Sequence, residues 1–482
     1  AGDFTRVPTR LNASRQSANL VAKIDVATNE TTSLTFGATG AFSLNNEFDR
    51  GRSLMNWENN NQTTQLDWRG YVKFSQRFVD EEGEQGSGGL KNVFYSIMAD
   101  YSQSYFKRQD ISHGDDFFKY GHVGTFDVFQ ENSYTYNPAT GRYIHDGWRD
   151  TLVVFNESSS NPALSSINNQ FFSLFENENS QFFNGQEVVF QPGVYSSLLE
   201  VQNGNALLNG QSPSSTYGLW SYYGAPGNDY DIFNNQQFRV SAAGSGDIGD
   251  HALQIGFEYE QRRDAFYQLS PVGLWTLGRL TTNSHIKEID KTDSVLTNVG
   301  TDYYVTYDRL LGGNQFEFDY NLREALMADG RDAAGRLPGH EDFDGSVDET
   351  TLIQLDAIDP GYFSLDMFGA DDLLNQGNNY VVYGGYDPYG NKVSGRPTID
   401  DFFNETTSVG GKDFPTRPIG AYEPIYIAGY VMDKFTFDDI IFNVGVRVDR
   451  FDANQPVLKD PYIVGDAFKV GDIRAQAEDL TG

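Results

Sequence analysis

The sequence contains no cysteine and no run of 18 or more apolar residues. Without cysteine, disulfides, thiolate metal sites and cysteine nucleophiles are excluded. Without a long apolar run, no transmembrane helix is expected, although a membrane-spanning β-strand needs only about 9–11 residues. Basic residues are also scarce, since 35 Lys and Arg stand against 67 Asp and Glu, and the formal net charge is −32. Nucleic acid is therefore not an expected partner, because binding it requires a basic surface.

Sequence motifs of enzymes are missing as well. The six histidines have no metalloprotease spacing, and no nucleophile elbow, phosphate-binding loop or dinucleotide fingerprint occurs. Paired carboxylates are common in so acidic a chain and do not indicate a glycosidase. The sequence thus gives no support for an enzyme. The N-terminus has no signal-peptide pattern, so we expect that such a peptide was removed or that the chain is an internal piece of a longer protein.

Aromatic residues and glycine are abundant and follow an alternating pattern. There are 36 Phe, 28 Tyr and 49 Gly. In the segment 440–449, Ile440, Val444 and Val448 fall on one face, whereas Arg447 and Asp449 fall on the other. Period-two alternation predicts a β-strand with one apolar and one polar face. Such a strand turns its apolar face either to the core of a soluble protein or to lipid.

Strand-like segments alternate with short and long connections along the chain. Strands are predicted near residues 19–44, 65–105, 234–262 and 425–452, with short turns near 28–32, 79–91, 245–250 and 435–439. The other connections, near 45–64, 107–233 and 263–424, are medium or very long. Short periplasmic turns opposite very long extracellular loops are typical of outer-membrane proteins. We therefore predict an all-β fold, an antiparallel transmembrane β-barrel, whose long loops hold some structure of their own.

Charged residues occupy one face of several predicted strands. We expect these residues to face the barrel lumen: Asp67, Arg69, Lys73, Arg77, Glu258, Glu260, Arg447 and Asp449. They could form a substrate path or a surface that contacts a plug. The simpler interpretation is hydration and mutual pairing, because lumen positions of such barrels are polar whatever the substrate.

Two loop segments carry further candidate sites. Asp342, Asp344, Asp348 and Glu349 surround a glycine, and closely spaced carboxylates suit Ca²⁺. The alternative is a solvated acidic loop, because the spacing falls short of a full calcium-binding loop. A second segment contains aromatic residues that could stack on a ligand such as a sugar, or else pack a small core of the loop: Trp220, Tyr222 and Tyr223.

The segment from Glu423 to Tyr462 resembles the barrel of TonB-dependent outer-membrane receptors, and in particular the large Oar-like receptors of Bacteroidota. In that family a strand ending in an Asp-Lys-aromatic turn precedes an Asn-x-Gly-x-Arg-x-Asp-x-Phe strand. The matching residues here are Asp433, Lys434 and Phe435, followed by Asn443, Gly445, Arg447, Asp449 and Phe451. The segments Phe363 to Asn391 and Pro397 to Phe403 are also similar to that group. The resemblance covers about the last quarter of the chain.

The resemblance implies a 22-stranded barrel closed by an N-terminal plug and a nutrient receptor driven by the proton motive force through TonB. Its partners would be outer-membrane lipid, the TonB complex and a surface lipoprotein lid. No plug, TonB box or terminal aromatic strand is found in this chain, so we expect it to be a central portion of a longer receptor. Two alternatives stay open: a structural or adhesive surface barrel whose acidic loops bind cations, proteins or glycans, and a soluble β-sandwich.

Overall fold

Antiparallel β-sheet dominates the chain, which confirms the all-β class predicted from alternation. The computed structural model describes residues 4–78, 89–174, 180–183, 186–189, 195–409 and 411–457. The strands are β1 (Arg15–Ala27), β2 (Thr32–Asn46), β3 (Gln62–Arg77), β4 (Leu90–Gln109), β5 (Gly124–Asn137), β6 (Arg142–Glu157), β7 (Ser180–Phe183), β8 (Gln186–Val189), β9 (Tyr230–Ile248), β10 (His251–Leu269), β11 (Ile289–Val299), β12 (Asp302–Arg309), β13 (Val381–Gly384), β14 (Thr406–Val409), β15 (Lys412–Pro415), β16 (Ile425–Phe437) and β17 (Ile440–Asp452).

The described ranges contain six α-helices, all outside the long strands. They are α1 (Pro162–Leu174), α2 (Leu198–Asn203), α3 (Gly273–Thr281), α4 (Glu317–Ala328), α5 (Ala370–Leu374) and α6 (Ile399–Asn404). Across the described ranges, none of the helices has the length and apolar character needed to cross a membrane. All six occur between β4 and β16, so helical structure belongs to the long connections and not to the main sheet.

The main sheet is an open antiparallel meander. Its order is β1-β2-β3-β4-β9-β10-β16-β17, and the short strand β13 adds to the far end of β10. The edge strands β1 and β17 do not pair with each other in the described part of the chain. Within the described residues, the eight long strands therefore form an open sheet and not the closed 22-stranded barrel that the resemblance implies. Each strand has 13 to 20 residues, which is more than a membrane-spanning strand requires.

The three short turns of the main sheet that the structure describes lie at one end. They join β1 to β2, β9 to β10 and β16 to β17, and the last two contain only Gly249–Asp250 and Asp438–Asp439. Gly249 (φ 57°) and Asp438 (φ 53°) are left-handed, as tight hairpin turns require. The predicted turns near 245–250 and 435–439 were too wide, because β9 and β16 continue pairing to Ile248 and Phe437. Residues 79–88 of the remaining predicted turn lie outside the described residues.

One face of the main sheet is apolar and exposed across all eight strands. Register places its members side by side, and they include Ile24, Phe36, Trp68, Val72, Ile97, Phe238, Ile255, Phe257, Val431, Val444, Val446 and Val448. Val446, for example, is 68% exposed. The band is roughly 34 Å wide, since neighbouring strands are ~4.8 Å apart. A patch this size is larger than the few hundred Å² that soluble monomers usually expose.

The two longest connections fold together into one loop domain, residues 110–229 and 270–424. Its main core combines Phe118 from the first connection with Trp275, Phe318 and Phe368 from the second. Trp275 is fully buried and donates its indole N–H to the Phe118 carbonyl oxygen at 3.0 Å. A separate small sheet, β11-β12-β6-β5, also contains strands from both connections. The domain stands at the end of the main sheet opposite the tight turns and is continuous with β9 and β10.

Candidate functional site

A row of ion pairs crosses the polar face of the main sheet. Its members alternate in charge and come from five strands: Arg69, Asp100, Arg239, Glu258, Arg447 and Asp449. Successive nitrogen–oxygen distances are 3.0, 3.0, 3.5, 3.6 and 3.0 Å. We call these six residues the ladder. Because charges of opposite sign alternate along it, no large excess of either sign builds up on this face.

Asp100 is the central residue of the ladder. It accepts from the Nε–H groups of both Arg69 and Arg239, and its side chain is only 3% exposed. Neither Asp100 nor Arg239 is among the residues predicted to face a lumen. Both lie on the polar face by the alternation that placed Arg69 there, in the registers Asp100↔Arg239 and Arg69↔Ser102. The same alternation, applied to the sequences of β4 and β9, predicts both residues on the polar face.

The other residues predicted to face a lumen also lie on the polar face, but outside the ladder. Asp67 accepts hydrogen bonds from Ser104 at 2.5 Å and Gln65 at 2.8 Å. Glu260 is paired with Arg262 at 3.7 Å. Lys73 and Arg77 follow on β3 towards the tight turns, opposite Met98 and Phe94 of β4. The eight predicted residues therefore share one face, as alternation requires, and four of them belong to the ladder.

A cleft of about 530 Å³ opens on the polar face, near the loop domain. Its lining is mostly hydroxyl, amide and charged, and includes Asp67, Arg69, Ser102, Gln237 and Arg262. The cleft offers both hydrogen-bond donors and hydrogen-bond acceptors. Several of these groups are already paired within the sheet, as Arg69 is with Asp100 and Asp67 is with Ser104.

The acidic segment does not assemble into a cation site. Asp348 uses its carboxylate to accept from Thr350 and Thr351, at 3.0 and 2.6 Å, and Asp342 lies 3.9 Å from His340. Within the described ranges, no group of three or more acidic or histidine side chains has a geometry that could hold a metal ion. Asp342, Asp344, Asp348 and Glu349 are therefore not brought together as calcium ligands. Asp348 instead accepts from the Thr350 and Thr351 hydroxyls and from the Thr350 backbone N–H.

The three predicted stacking residues lie in a surface loop that rests on the segment after β2. Trp220 is bridged to Thr216 across a turn, and the backbone N–H of Ser221 donates to the Gly51 carbonyl oxygen. Tyr222 and Tyr223 are exposed, and Tyr217 at the tip is 92% exposed. These rings do not belong to the clusters of the loop-domain core that the structure describes. Their surroundings are compatible with ligand stacking and do not identify a ligand.

Buried titratable groups mark the interior of the loop domain. Burial, together with the neighbouring carboxylates of Asp372 and Asp371, raises the pKa of Glu317 to about 7. Burial lowers the pKa of His122 to about 4, and its ring stacks on Trp275 while Nδ1 lies 2.9 Å from the Ser158 hydroxyl. His122 is a neutral component of the core. The raised pKa of Glu317 reflects burial first and the two neighbouring carboxylates second.

Comparisons with protein-family models, with curated proteins and with solved structures give no match to this chain. The described residues form a charged face, an exposed apolar face and a separately packed loop domain.

Proposed function

We propose that this chain is part of an outer-membrane β-barrel whose loop domain stands at the cell surface. The observation that carries the proposal is the contrast between the two faces of the main sheet. One is an apolar band across eight strands, and the other bears the ladder. Lipid would cover the band and water would fill the lumen on the side of the ladder. Both edge strands would pair with strands from other parts of the protein.

Within that barrel we propose a receptor that takes up a nutrient ligand past a plug, with energy supplied through TonB. This proposal is supported by the resemblance of residues 423–462 and by the arrangement of short turns at one end and a large folded domain at the other. A polar, charge-balanced face suits a plugged lumen. The loop domain would make the first contact with the ligand outside the cell.

A structural or adhesive surface barrel is the second candidate. It is favoured by one observation, namely that the loop domain is a packed body in its own right and has acidic residues in more than twofold excess over basic ones. Acidic loops at a cell surface could bind cations, proteins or glycans. The two candidates differ in whether energy coupling is needed for function.

The membrane assignment can be tested with single cysteines, because the natural chain has none. Val446→Cys places a fluorophore on the apolar band, Ser241→Cys on the polar face, and Tyr217→Cys on the loop domain. In reconstituted bilayers, spin-labelled lipid should quench only the first. Equal quenching at all three positions, or none at Val446, would contradict the proposal.

Energy coupling then separates the two candidates. In cells of the source organism that lack TonB, a receptor should lose ligand uptake and keep ligand binding at the surface. An adhesive barrel should keep its full function. Uptake that continues unchanged without TonB would exclude the receptor.

A further inference from the structure

The loop domain contains a second cavity, remote from the ladder, with a volume of about 500 Å³. It lies between α3, α5 and α6 and is reached from the surface. A volume of this size lies in the range of small-molecule sites, roughly 300–1,000 Å³. We call it the loop cavity. Because all of its lining residues belong to the segment 277–417, it does not depend on whether the main sheet is part of a barrel.

The walls of the loop cavity are apolar and aromatic. Phe402 and Phe403 meet edge to face at 5.2 Å, and Phe316 and Leu280 complete the mouth. Phe403 is 64% exposed and Leu280 is 60% exposed. Large side chains left open around a concave mouth gain by covering an apolar ligand, at about 25 cal/mol for each Å² of apolar surface removed from water.

The floor of the cavity is polar and has an excess of negative charge. Arg417 donates to both carboxylate oxygens of Asp371, at 2.6 and 2.9 Å, and to the carbonyl oxygens of Phe402 and Phe403. Its donors are thus committed to the protein. Asp372, which also lines the cavity, accepts a hydrogen bond from the backbone N–H of Gly369 at 3.1 Å and has no cationic partner within the described residues.

The backbone around the cavity is held in an uncommon conformation. Of the ten non-glycine residues with positive φ in the described chain, three line this cavity: Asn375, Gln376 and Arg417. Such conformations are strained and concentrate at ligand sites. The Tyr383 hydroxyl holds Arg417 in place by donating to its carbonyl oxygen at 2.7 Å. The cavity is therefore preformed and fixed by its surroundings.

We propose that the loop cavity binds a primary amine that carries an apolar body about the size of a dipeptide. The apolar body would lie against Phe316, Phe402 and Phe403, and the ammonium group would approach Asp372. An anion is disfavoured, because Arg417 is already bound to Asp371 and the nearby carboxylates repel it. A neutral apolar ligand would leave the Asp372 carboxylate on the floor of the cavity without a cationic partner.

The probe is leucyl-phenylalanine amide, with its N-acetylated form as the uncharged match, measured by calorimetry on the purified full chain. We expect acetylation to weaken binding by roughly tenfold or more, because the acetylated ligand can no longer form a charge pair with Asp372. Phe403→Ala should weaken binding of both forms. Equal affinity for the two forms, or no binding at millimolar concentration, would overturn the proposal.

Charge at the mouth gives an independent test on an exposed residue that leaves the fold intact. Leu280→Lys should weaken binding of the amine, whereas Leu280→Glu should retain it or improve it. Asp400→Asn, on the exposed side of α6 and outside the cavity, is the matched control and should change nothing. If the lysine and glutamate variants lost affinity equally, the cationic part of the proposal would be wrong.

Discussion

The main sheet and the loop domain use the same apolar residues in opposite ways. In the loop domain, Trp275, Phe318 and Phe368 are fully buried against one another. In the main sheet, Val444, Val446 and Val448 point outward, and neighbouring strands repeat the pattern. One region has an interior of its own, and the other has an apolar surface that needs a covering. Two regions of one chain are therefore adapted to two different surroundings.

This comparison explains why apolar content alone is a poor guide here. Only 39% of residues are hydrophobic, because strands with one polar face need few of them. Several charged residues on the other face of the sheet pair across strands in the ladder. The hydrophobic fraction of the whole chain therefore does not reveal the difference between the main sheet and the loop domain.

The largest expected effect is a loss of packing in the loop domain. Trp275→Ala should cost about 3–5 kcal/mol of unfolding free energy, because a fully buried ring is removed and its cavity cannot close completely. Thermal unfolding followed by near-UV circular dichroism would measure it. The control, Leu219→Ala, removes an exposed side chain and should change stability by no more than about 0.5 kcal/mol. Equal losses would mean that Trp275 is not central to the core.

The next effect concerns the apolar band. Val446→Arg should cost about 2–4 kcal/mol in a bilayer, because the charge would face hydrocarbon. The matched control is Ile441→Arg, on the same strand, equally exposed and on the opposite face. Denaturant titration in lipid vesicles measures both. If water covers the band, the two variants would behave alike, within about 0.5 kcal/mol, and the contrast between the regions would disappear.

The strands of the main sheet could be predicted from the sequence, whereas the core of the loop domain could not, for a physical reason. Alternation is local, so β2, β3, β10 and β17 could be recognised from a few neighbouring residues. The loop core depends on contacts between distant segments, such as Phe118 with Trp275, which no local pattern encodes. The bounds of β9 were also misjudged, because glycine and serine near its end interrupt the apolar period while pairing continues.

The candidate sites show the same division. The charged face of the sheet was predictable, but the role of Asp100 depends on two arginines from neighbouring strands. The loop cavity was missed, since Phe316, Asp372 and Arg417 are far apart in sequence and meet only in the folded domain. Conversely, the acidic segment suggested a cation site because its carboxylates are close in sequence, but in the fold Asp348 accepts from local threonine hydroxyls instead.

A smaller effect should appear in the pH dependence of the loop domain. The side chain of Glu317 faces Asp371, Asp372, Asn321 and Tyr389. Its pKa of about 7 in the folded state exceeds its usual value, so folding favours the protonated form. Its contribution to stability is full at low pH, falls as pH rises from about 4.5 towards 7, and is then lost. The total is at most about 3 kcal/mol.

Glu317→Gln should remove this pH dependence, since the amide stays neutral. The variant should match the natural chain near pH 4.5 and be more stable at pH 8. Comparing the melting temperatures of both chains at the two pH values tests this. The expectation fails if both chains respond to pH in the same way, or if the glutamine variant is less stable at pH 8.

The smallest effect, and the sharpest test of the polar face, concerns Glu258 in the ladder. Glu258 lies 3.5 Å from Arg239 and its side chain is 27% exposed. In a hydrated lumen, Glu258→Gln should cost no more than about 1 kcal/mol, and 1 M salt should remove most of the difference by screening. The matched control is Glu260→Gln, outside the ladder. A cost of about 3–5 kcal/mol that salt does not change would instead indicate a dry environment. The polar face would then be covered by another part of the protein. It would differ from the loop-domain interior in polarity but not in exposure to water.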